Sequence, residues 1–304
     1  MGAARAARRA PRLGPLDREL LRQTLPAFAT LVAEPLYVLA DTAVVGRLGA
    51  DELGGLALAS TVLLSAHSLC IFLAYGTTAA VARLVGAGEE RRAARQGVQG
   101  LWLAALLGSA LALLGAVGGR SLVDALGGGG PAVAPGWLYL RISLLGVPAM
   151  LVGLAGVGYL RGRQDTRTPL LITAASASFN LVLEVVLIFG LGFGIGASAA
   201  ATVAAQWGAA AVYAAQVLRR GRALGASAAP DWRAMRALGA VGAHLFVRSA
   251  ALRGSFTLAT AAAARAGRVD LAAHQIAFEV WSFLALALDA VGIAAQAIVG
   301  RLLG

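Results

Sequence analysis

Residues 31–49, LVAEPLYVLADTAVVGRLG, are apolar enough to lie in a membrane and yet carry two carboxylates, Glu34 and Asp41. Seven positions separate the two acids. On an α-helix this is close to two full turns, so both side chains point to nearly the same face. A charge at membrane depth is costly and usually faces a cavity or a partner group. The stretch therefore predicts a membrane helix with an acidic, functional face.

The composition places this helix in a larger membrane protein. The chain has 304 residues, of which 59% are hydrophobic and only 13% charged, whereas a soluble domain carries about 25% charged residues. Apolar runs of about twenty residues recur without the period-two alternation of a transmembrane β-strand. The predicted fold class is therefore all-α, a polytopic bundle of membrane helices.

Net charge and cysteine content bear on two other classes. The net charge of +11 comes from arginine, because the chain has no lysine. A basic chain can indicate nucleic-acid binding, but these arginines lie between apolar runs, where membrane topology explains them better. Cys70 is the single cysteine, so a disulfide or a cysteine-based metal site within one chain is excluded.

Eight apolar runs are long enough to span a bilayer. They cover residues 24–48, 53–85, 98–117, 137–160, 169–189, 197–218, 242–264 and 271–303. The Gly/Pro-rich segment 118–136 is predicted to be a connection with at most one short interfacial turn. The resulting division of the chain is a basic N-terminus (1–20), six helices (21–220), a linker (221–238) and two further helices (239–304).

The arginines predict how the helices are oriented. Arginine is abundant in the N-terminus and in the connections 83–95, 161–167 and 219–236. The intervening connections hold only Arg120. Because cytoplasmic loops carry the excess of arginine, we expect the N-terminus and the linker to be cytoplasmic. No apolar signal-peptide core directly follows the basic N-terminus, so the first run is predicted to be a retained span. Arg248 and Arg253 fit poorly and leave the start of the seventh span open.

An internal repeat relates the two groups of helices. The segment TAVVGRLGADELGGLALAS, which begins at Thr42, aligns without gaps to TAAAARAGRVDLAAHQIAF, which begins at Thr260, and Gly49 meets Gly267. A constant offset over about 45 residues indicates a duplicated bundle, as in transporters built from parallel repeats. By this logic about 130 residues and four spans of the second copy are missing, so we expect a fragment or a truncated gene product.

Four segments together resemble a known family. They are AEPLYVLADTAVVGRLG, LAYGTTAAVARLVGAG, LRGRQDTRTP and LAAHQIAFEVWSFLALALDAVGIAAQAIVGRLLG. They are similar to the MATE (multidrug and toxic compound extrusion) efflux transporters, in the branch named after the DNA-damage-inducible protein F. The resemblance implies two six-helix lobes, of which this chain would hold the N-lobe and the first two helices of the C-lobe. It also implies exchange of H⁺ or Na⁺ for cationic or amphipathic drugs.

The resemblance further implies a cation-coupling site in the N-lobe. The family's aspartate of the first span matches Asp41, and its Asn and acid of the fifth span match Asn180 and Glu184. The family often has Asp at the latter position, so Glu184 is a departure that keeps the charge and adds a methylene. A threonine of the sixth span matches Thr202, and a tyrosine of the fourth matches Tyr139.

Helical spacing and two prolines add to this site. Gln206 lies four residues after Thr202 and therefore on the same face, and Glu34 is an accessory candidate on the acidic face of the first span. Pro35 removes a backbone donor and is expected to kink that span. The family's bending proline matches Pro26.

The expected chemistry of this site is the binding of a small cation. Two carboxylates in a pocket of low dielectric disfavour double ionisation, so the pair could take up and release a proton. Oxygen ligands at Asp41, Asn180 and Glu184 could instead hold Na⁺, and the residues leave this choice open. We expect neutralisation of Asp41 to bend the first span and narrow the cavity. No other cofactor is expected.

Three alternatives rest on different observations. A lipid-linked oligosaccharide flippase of the same superfamily would need a strongly cationic cavity, whereas this cavity is predicted to be acidic. An intramembrane enzyme is disfavoured because the sequence has no HExxH motif and no paired histidine ligands. The third alternative is a chain that does not transport. The main prediction is a non-enzymatic antiporter of a bacterial inner membrane, monomeric when full length, that binds small amphipathic or cationic molecules and no nucleic acid.

Overall fold

A computed structural model describes residues 14–304, apart from the side chains of Pro15, Glu34, Val241, Ala261, Ala264, Ala266, Arg268, Leu271 and Ala272. Most of the basic N-terminus, residues 1–13, therefore lies outside the described residues. Residues 14–304 form helices joined by short turns and contain no strand. This confirms the all-α class.

The helices are long and follow one another with few intervening residues. In chain order they are α1 (Pro15–Val45), α2 (Ala50–Cys70), α3 (Phe72–Gly86), α4 (Glu90–Gly127), α5 (Val133–Ser143), α6 (Val147–Gly162), α7 (Arg167–Val185), α8 (Ile195–Ala223), α9 (Trp232–Ala266) and α10 (Arg268–Leu302). The helix pairs α2–α3 and α5–α6 each form one membrane-length unit. Within the described residues, seven such units are long and apolar enough to cross a membrane.

The prediction for residues 118–136 was wrong. α4 continues to Gly127 and α5 begins at Val133, so only a short turn separates them. Glycine disfavours a helix interior by about 0.5–1 kcal/mol relative to alanine. Packing offsets this cost here, because Val123 is fully buried and Gly119 lies against the rings and methyl groups of α5. The sequence of the connection alone did not reveal this contact.

α9 resolves the uncertain start of the seventh span. It begins at Trp232, where the Asp231 carboxylate accepts hydrogen bonds from the backbone N–H groups of Arg233 and Ala234. Such a cap satisfies donors that the first helical turn leaves free. The whole expected run is helical, but α9 is not among the seven units with sufficient hydropathy, since it carries several arginines.

Small residues bring the helices of the bundle close together. α6 packs against α3, α4 and α8, and the glycine at position 158 faces the backbone carbonyl of Ala74 on α3. Large apolar side chains point outward instead, as at Leu113, Leu114 and Val117, which are 68–88% exposed. Membrane helices associate through such small residues because lipid tails already solvate the larger ones.

The internal repeat is confirmed by the backbone. Gly49, before α2, and Gly267, before α10, both have φ of 149°, with ψ of 170° and 172°. These two residues face each other in the gapless alignment, and the conformation is one that residues with a side chain rarely adopt. The same turn has therefore been kept in both copies.

The two copies also contact each other reciprocally. A Cβ on Gly86 would lie 2.0 Å from the carbonyl oxygen of Arg301, and a Cβ on Gly304 would lie 1.9 Å from that of Arg83. The repeat offset pairs Arg83 with Arg301 and Gly86 with Gly304. Gly86 thus contacts the counterpart of Arg83, and the counterpart of Gly86 contacts Arg83 itself. Such a reciprocal contact is typical of two-fold symmetry. α3 and α10 are therefore related by a pseudo-two-fold axis.

We expect Gly158→Ala to destabilise the protein by about 1–3 kcal/mol, because the new Cβ would lie 2.5 Å from the Ala74 carbonyl oxygen and force the helices apart. Gly153→Ala on the same helix is the matched control, since its Cβ would meet nothing within 4 Å. Thermal unfolding of the two detergent-solubilised variants measures the difference. Equal unfolding temperatures would contradict the close packing of α3 on α6.

Candidate functional site

α1 carries the predicted acidic face into the bundle. The helix passes through Pro26 and Pro35 without interruption, and bending at these prolines stays a prediction. Asp41 is 6% exposed near the end of this helix. The side chain of Glu34 lies outside the described part of the structure, so its accessory role also stays a prediction.

The two carboxyl groups of Asp41 and Glu184 lie within interaction range of each other. Ser198 of α8 donates a hydrogen bond of 2.8 Å to Asp41 Oδ1. Glu184 is fully buried, and no described donor meets hydrogen-bond geometry at either of its carboxyl oxygens, although Asp41 and Ser198 are its polar neighbours. A bare charge in such surroundings costs several kcal/mol. Ionisation of both carboxyl groups at once is therefore strongly disfavoured.

A second polar layer lies one helical turn away from these acids. The hydroxyl groups of Tyr37 and Thr202 share a hydrogen bond of 2.9 Å, and Asn180 Nδ2 donates to Thr202 Oγ1 over 3.1 Å. Asn180 is 1% exposed, and its carbonyl oxygen accepts no hydrogen bond from a described residue. The side chain of Tyr139 is also buried and lies close to Thr202.

The two layers have a regular construction. α1 contributes Asp41 and Tyr37, α7 contributes Glu184 and Asn180, and α8 contributes Ser198 and Thr202. The members of each pair are four residues apart, and residues at this spacing are neighbours on one helix face. Three helices thus present an acid-containing layer and, beneath it, a hydrogen-bonded amide–hydroxyl layer.

A cavity of about 280 Å³ borders the second layer. Tyr37, Asn180 and Thr202 form part of its wall, whereas Asp41 and Glu184 do not and lie behind them. Most of the remaining wall is apolar. The amide–hydroxyl layer therefore lies between the cavity and the acids.

Gln206 belongs to the cavity wall rather than to the acid layer. Its carbonyl oxygen lies against Gly146, where a Cβ would come within 2.0 Å, and accepts no hydrogen bond from a described residue. The spacing correctly placed it on the face of Thr202. Two turns along α8 separate it from Ser198 of the acid layer, with Thr202 between them.

Three residues of this region were missed from the sequence. Tyr37 and Ser198 lie four residues from Asp41 and Thr202 respectively, so helical spacing could have found them. Arg161 was assigned to a cytoplasmic loop, which was wrong. α6 continues to Gly162, and Arg161 is 7% exposed and lines the cavity. The expectation of a purely acidic cavity is corrected by the same observation.

Comparison with known proteins adds sequence relatives. A family model described as MatE matches residues 26–186. The chain is 34% identical over 300 residues to Protein DETOXIFICATION 44, chloroplastic, of Arabidopsis thaliana. It is 30% identical over 293 residues to DNA damage-inducible protein F of Escherichia coli (strain K12). Each alignment covers 95% of this chain but only 57% and 64% of the respective relative. The chain thus spans less than two thirds of the length of either protein.

Solved structures share the fold. A MATE protein in the bent conformation superposes with a TM-score of 0.85 at 24% sequence identity, covering 95% of this chain and 65% of that chain. A MOP superfamily transporter from Pyrococcus furiosus superposes with a TM-score of 0.83 at 23% identity and with the same coverage. At these identities the likeness concerns the arrangement of helices alone.

The hydroxyl group of Thr202 is expected to hold the amide–hydroxyl layer together. Thr202→Val should destabilise the protein by about 1–3 kcal/mol, because it leaves the Asn180 amide without its acceptor and removes the partner of the Tyr37 hydroxyl. Thr61→Val makes the same substitution where the hydroxyl is exposed and bonds only to its own helix, at Ala57 O. Unfolding in detergent compares the two. A Thr202→Val protein as stable as Thr61→Val would contradict the layer.

Proposed function

The chain belongs to the MatE family, as the resemblance implied, and we propose that it contains the ion-coupling half of a multi-pass membrane antiporter. Members of this family are transporters and not enzymes. The proposed activity is export of amphipathic or cationic compounds in exchange for H⁺ or Na⁺. One observation carries the proposal. Glu184 is fully buried beside Asp41, and no described residue donates a hydrogen bond to its carboxyl group.

The proposed ion site lies between the two carboxyl groups. A proton shared by Asp41 and Glu184 would leave one negative charge on the pair, as expected for coupled carboxyl groups. Na⁺ would serve the same purpose, since carboxylate and amide oxygens are suitable ligands for a hard cation. The free carbonyl oxygen of Asn180 supplies a third oxygen one turn away. The hydrogen bond from Ser198 fixes Asp41 in either case.

Coupling to the cavity would pass through the amide–hydroxyl layer. Each of its members follows or precedes a member of the acid layer by one turn of the same helix, so a shift of α1, α7 or α8 moves both layers. When the ion binds and the acids lose their charge, their electrostatic attraction for a cationic ligand on the cavity side of the amide–hydroxyl layer weakens. We infer that a bound ion thereby changes the affinity for a compound in the cavity, and a bound compound the affinity for the ion, without direct contact between them. Bending of α1 at Pro26 and Pro35 would enlarge this effect.

Ion pairs support the proposed orientation in the membrane. Arg163 pairs with Glu90 over 2.6 Å, and Arg95 pairs with Asp231 over 2.7 Å. These residues come from the connections that are rich in arginine, so the connections lie together at one end of the bundle. We propose that this end faces the cytoplasm of a bacterium, because cytoplasmic loops carry the excess of arginine. The full-length protein is proposed to act as a monomer in the inner membrane.

The ion site is tested on the purified chain without transport. If Na⁺ binds, saturating NaCl should stabilise the wild type against unfolding by about 2.7 kcal/mol at a hundredfold excess over the dissociation constant. Choline chloride controls for ionic strength. Lowering the pH should weaken the Na⁺ effect, because protons compete for the same carboxylates. If only protons bind, the infrared spectrum should instead show a protonated carboxyl band that acidification strengthens.

The Na⁺ effect should disappear in Asp41→Asn and in Glu184→Gln, because each substitution removes one of the two acids. The protonated carboxyl band should disappear in Glu184→Gln, whereas in Asp41→Asn the buried Glu184 should keep its proton. Asp124→Asn is the control, since that carboxylate is exposed near the end of α4 and distant in sequence from every member of the two layers. A wild type without either signal would refute the ion site. So would a signal that survives both substitutions.

The proposed orientation is tested with single cysteines introduced into a Cys70→Ala chain. Ser227→Cys lies in the exposed turn between α8 and α9, and Asp124→Cys lies in the exposed end of α4. A membrane-impermeant maleimide added to intact cells should label only the second. Inside-out vesicles should give the reverse pattern. Labelling of Ser227→Cys in intact cells would overturn the cytoplasmic placement of the linker.

A further inference from the structure

Arg161 brings a buried positive charge to the wall of the cavity. Its side chain is 7% exposed, and among the described side chains no carboxylate lies within 4.0 Å and no group accepts a hydrogen bond from it. Its electrostatic neighbours are the phenol groups of Tyr75 and Tyr213. Arg163, two residues later, differs in having Glu90 as an ion-pair partner.

The nearby carboxylate of the second copy does not compensate Arg161. Asp289 of α10 is exposed and interacts with Arg248 of α9. Both of these groups act electrostatically on Tyr75, as Arg161 does. Two arginines and one described carboxylate therefore surround Tyr75, and the excess charge in this region is positive.

A guanidinium group cannot shed its charge by losing a proton, since it stays protonated at any physiological pH. In a membrane protein such a group faces a water-filled cavity or a binding partner. Its planar set of N–H donors matches a carboxylate, which can accept two parallel hydrogen bonds. Burial at a cavity wall without an internal carboxylate is thus the arrangement that a carboxylate ligand needs.

The rest of the wall describes the body of such a ligand. Leu31, Ile71, Met150, Leu154 and Val157 make it apolar. Part of the wall is polar but carries no carboxylate. This part is the amide–hydroxyl layer, behind which the acids lie. The volume of about 280 Å³ is close to the lower bound for pockets that hold one small molecule, about 300 Å³.

We propose that the cavity binds amphipathic carboxylates, with the carboxylate on Arg161 and the apolar body against α1, α3 and α6. Zwitterions fit the same site, their amine directed towards the amide–hydroxyl layer. This deepens the proposed function by naming a substrate class that a purely acidic cavity would reject. It rests on the proposed function only in treating the cavity as the substrate site.

The probes are a matched pair of fluorescent compounds, dansylglycine and its amide dansylglycinamide, which differ in the carboxylate. Each is titrated into the full chain in phosphatidylcholine nanodiscs, and bound fluorescence gives the dissociation constant. The wild type should bind the carboxylate about tenfold more tightly than the amide, the difference expected for hydrogen bonds to a charged group. This comparison needs no variant and does not depend on folding of a mutant.

Variants then assign the preference to one residue. Arg161→Gln should bind both probes equally, Arg161→Lys should keep part of the preference, and Arg120→Gln, an equal change of net charge at an exposed site, should keep all of it. Unchanged affinity of Arg161→Gln for the amide shows that the cavity is intact. A wild type without preference, or a preference that survives in Arg161→Gln, would overturn the proposal.

Two further outcomes separate this inference from the ion site. Carboxylate preference should persist in Glu184→Gln, because that acid does not line the cavity. The ion signals described above can therefore fail while the preference stands, and the reverse also holds. Glu34→Gln is measured in parallel. A carboxylate preference that appears only in this variant would mean that Glu34 neutralises Arg161 in the native chain, and it would overturn the proposal.

Discussion

The burial of Glu184 is the constraint on which the rest of the site depends. A carboxyl group with no exposed surface and no donor from the described residues is stable only when it holds a proton or a cation. The surrounding residues reduce this cost without removing it. Ser198 satisfies Asp41, while the hydrogen bonds of Thr202 with Tyr37 and Asn180 hold the three helices in register. Full satisfaction of Glu184 by the protein would stabilise the fold but would leave no reason to bind an ion.

The internal repeat duplicates the scaffold without duplicating this chemistry. The turns at Gly49 and Gly267 have the same backbone conformation, and α3 meets α10 in a reciprocal contact. By the same offset, however, Asp41 corresponds to Ala259. The carboxyl pair therefore belongs to the first copy alone. Symmetry accounts for how the two groups of helices pack, whereas the proposed ion site depends on residues in which the two copies differ.

The sequence predicted the helices well and the interior of the bundle less well. Hydropathy identified the helices because side chains that face lipid must be apolar. The acids could be found because a charge is rare in an apolar run, and Tyr37 and Ser198 were within reach of simple spacing. Arg161 was not, since the first arginine of RGRQDTRT has the same local sequence whether it lies in a loop or turns inward. Its burial depends on how α6 packs among α3, α4 and α8, which is a property of distant residues.

Arg161 lines the cavity, whereas the acids lie behind its amide–hydroxyl layer, and this difference affects how an ion and a compound could influence each other. A purely cationic substrate would be attracted by the two acids through the amide–hydroxyl layer, and H⁺ or Na⁺ bound at the acids would weaken that attraction. A zwitterion would be held differently, because Arg161 keeps its carboxylate whatever the state of the acid pair. Ion binding would then weaken only the attraction for the amine, through charge neutralisation behind the amide–hydroxyl layer. The affinity for a zwitterion would therefore fall only in part, since the contact with Arg161 remains. The coupling free energy between ion and ligand, which is reciprocal between two sites, would come from the amine end of the ligand alone.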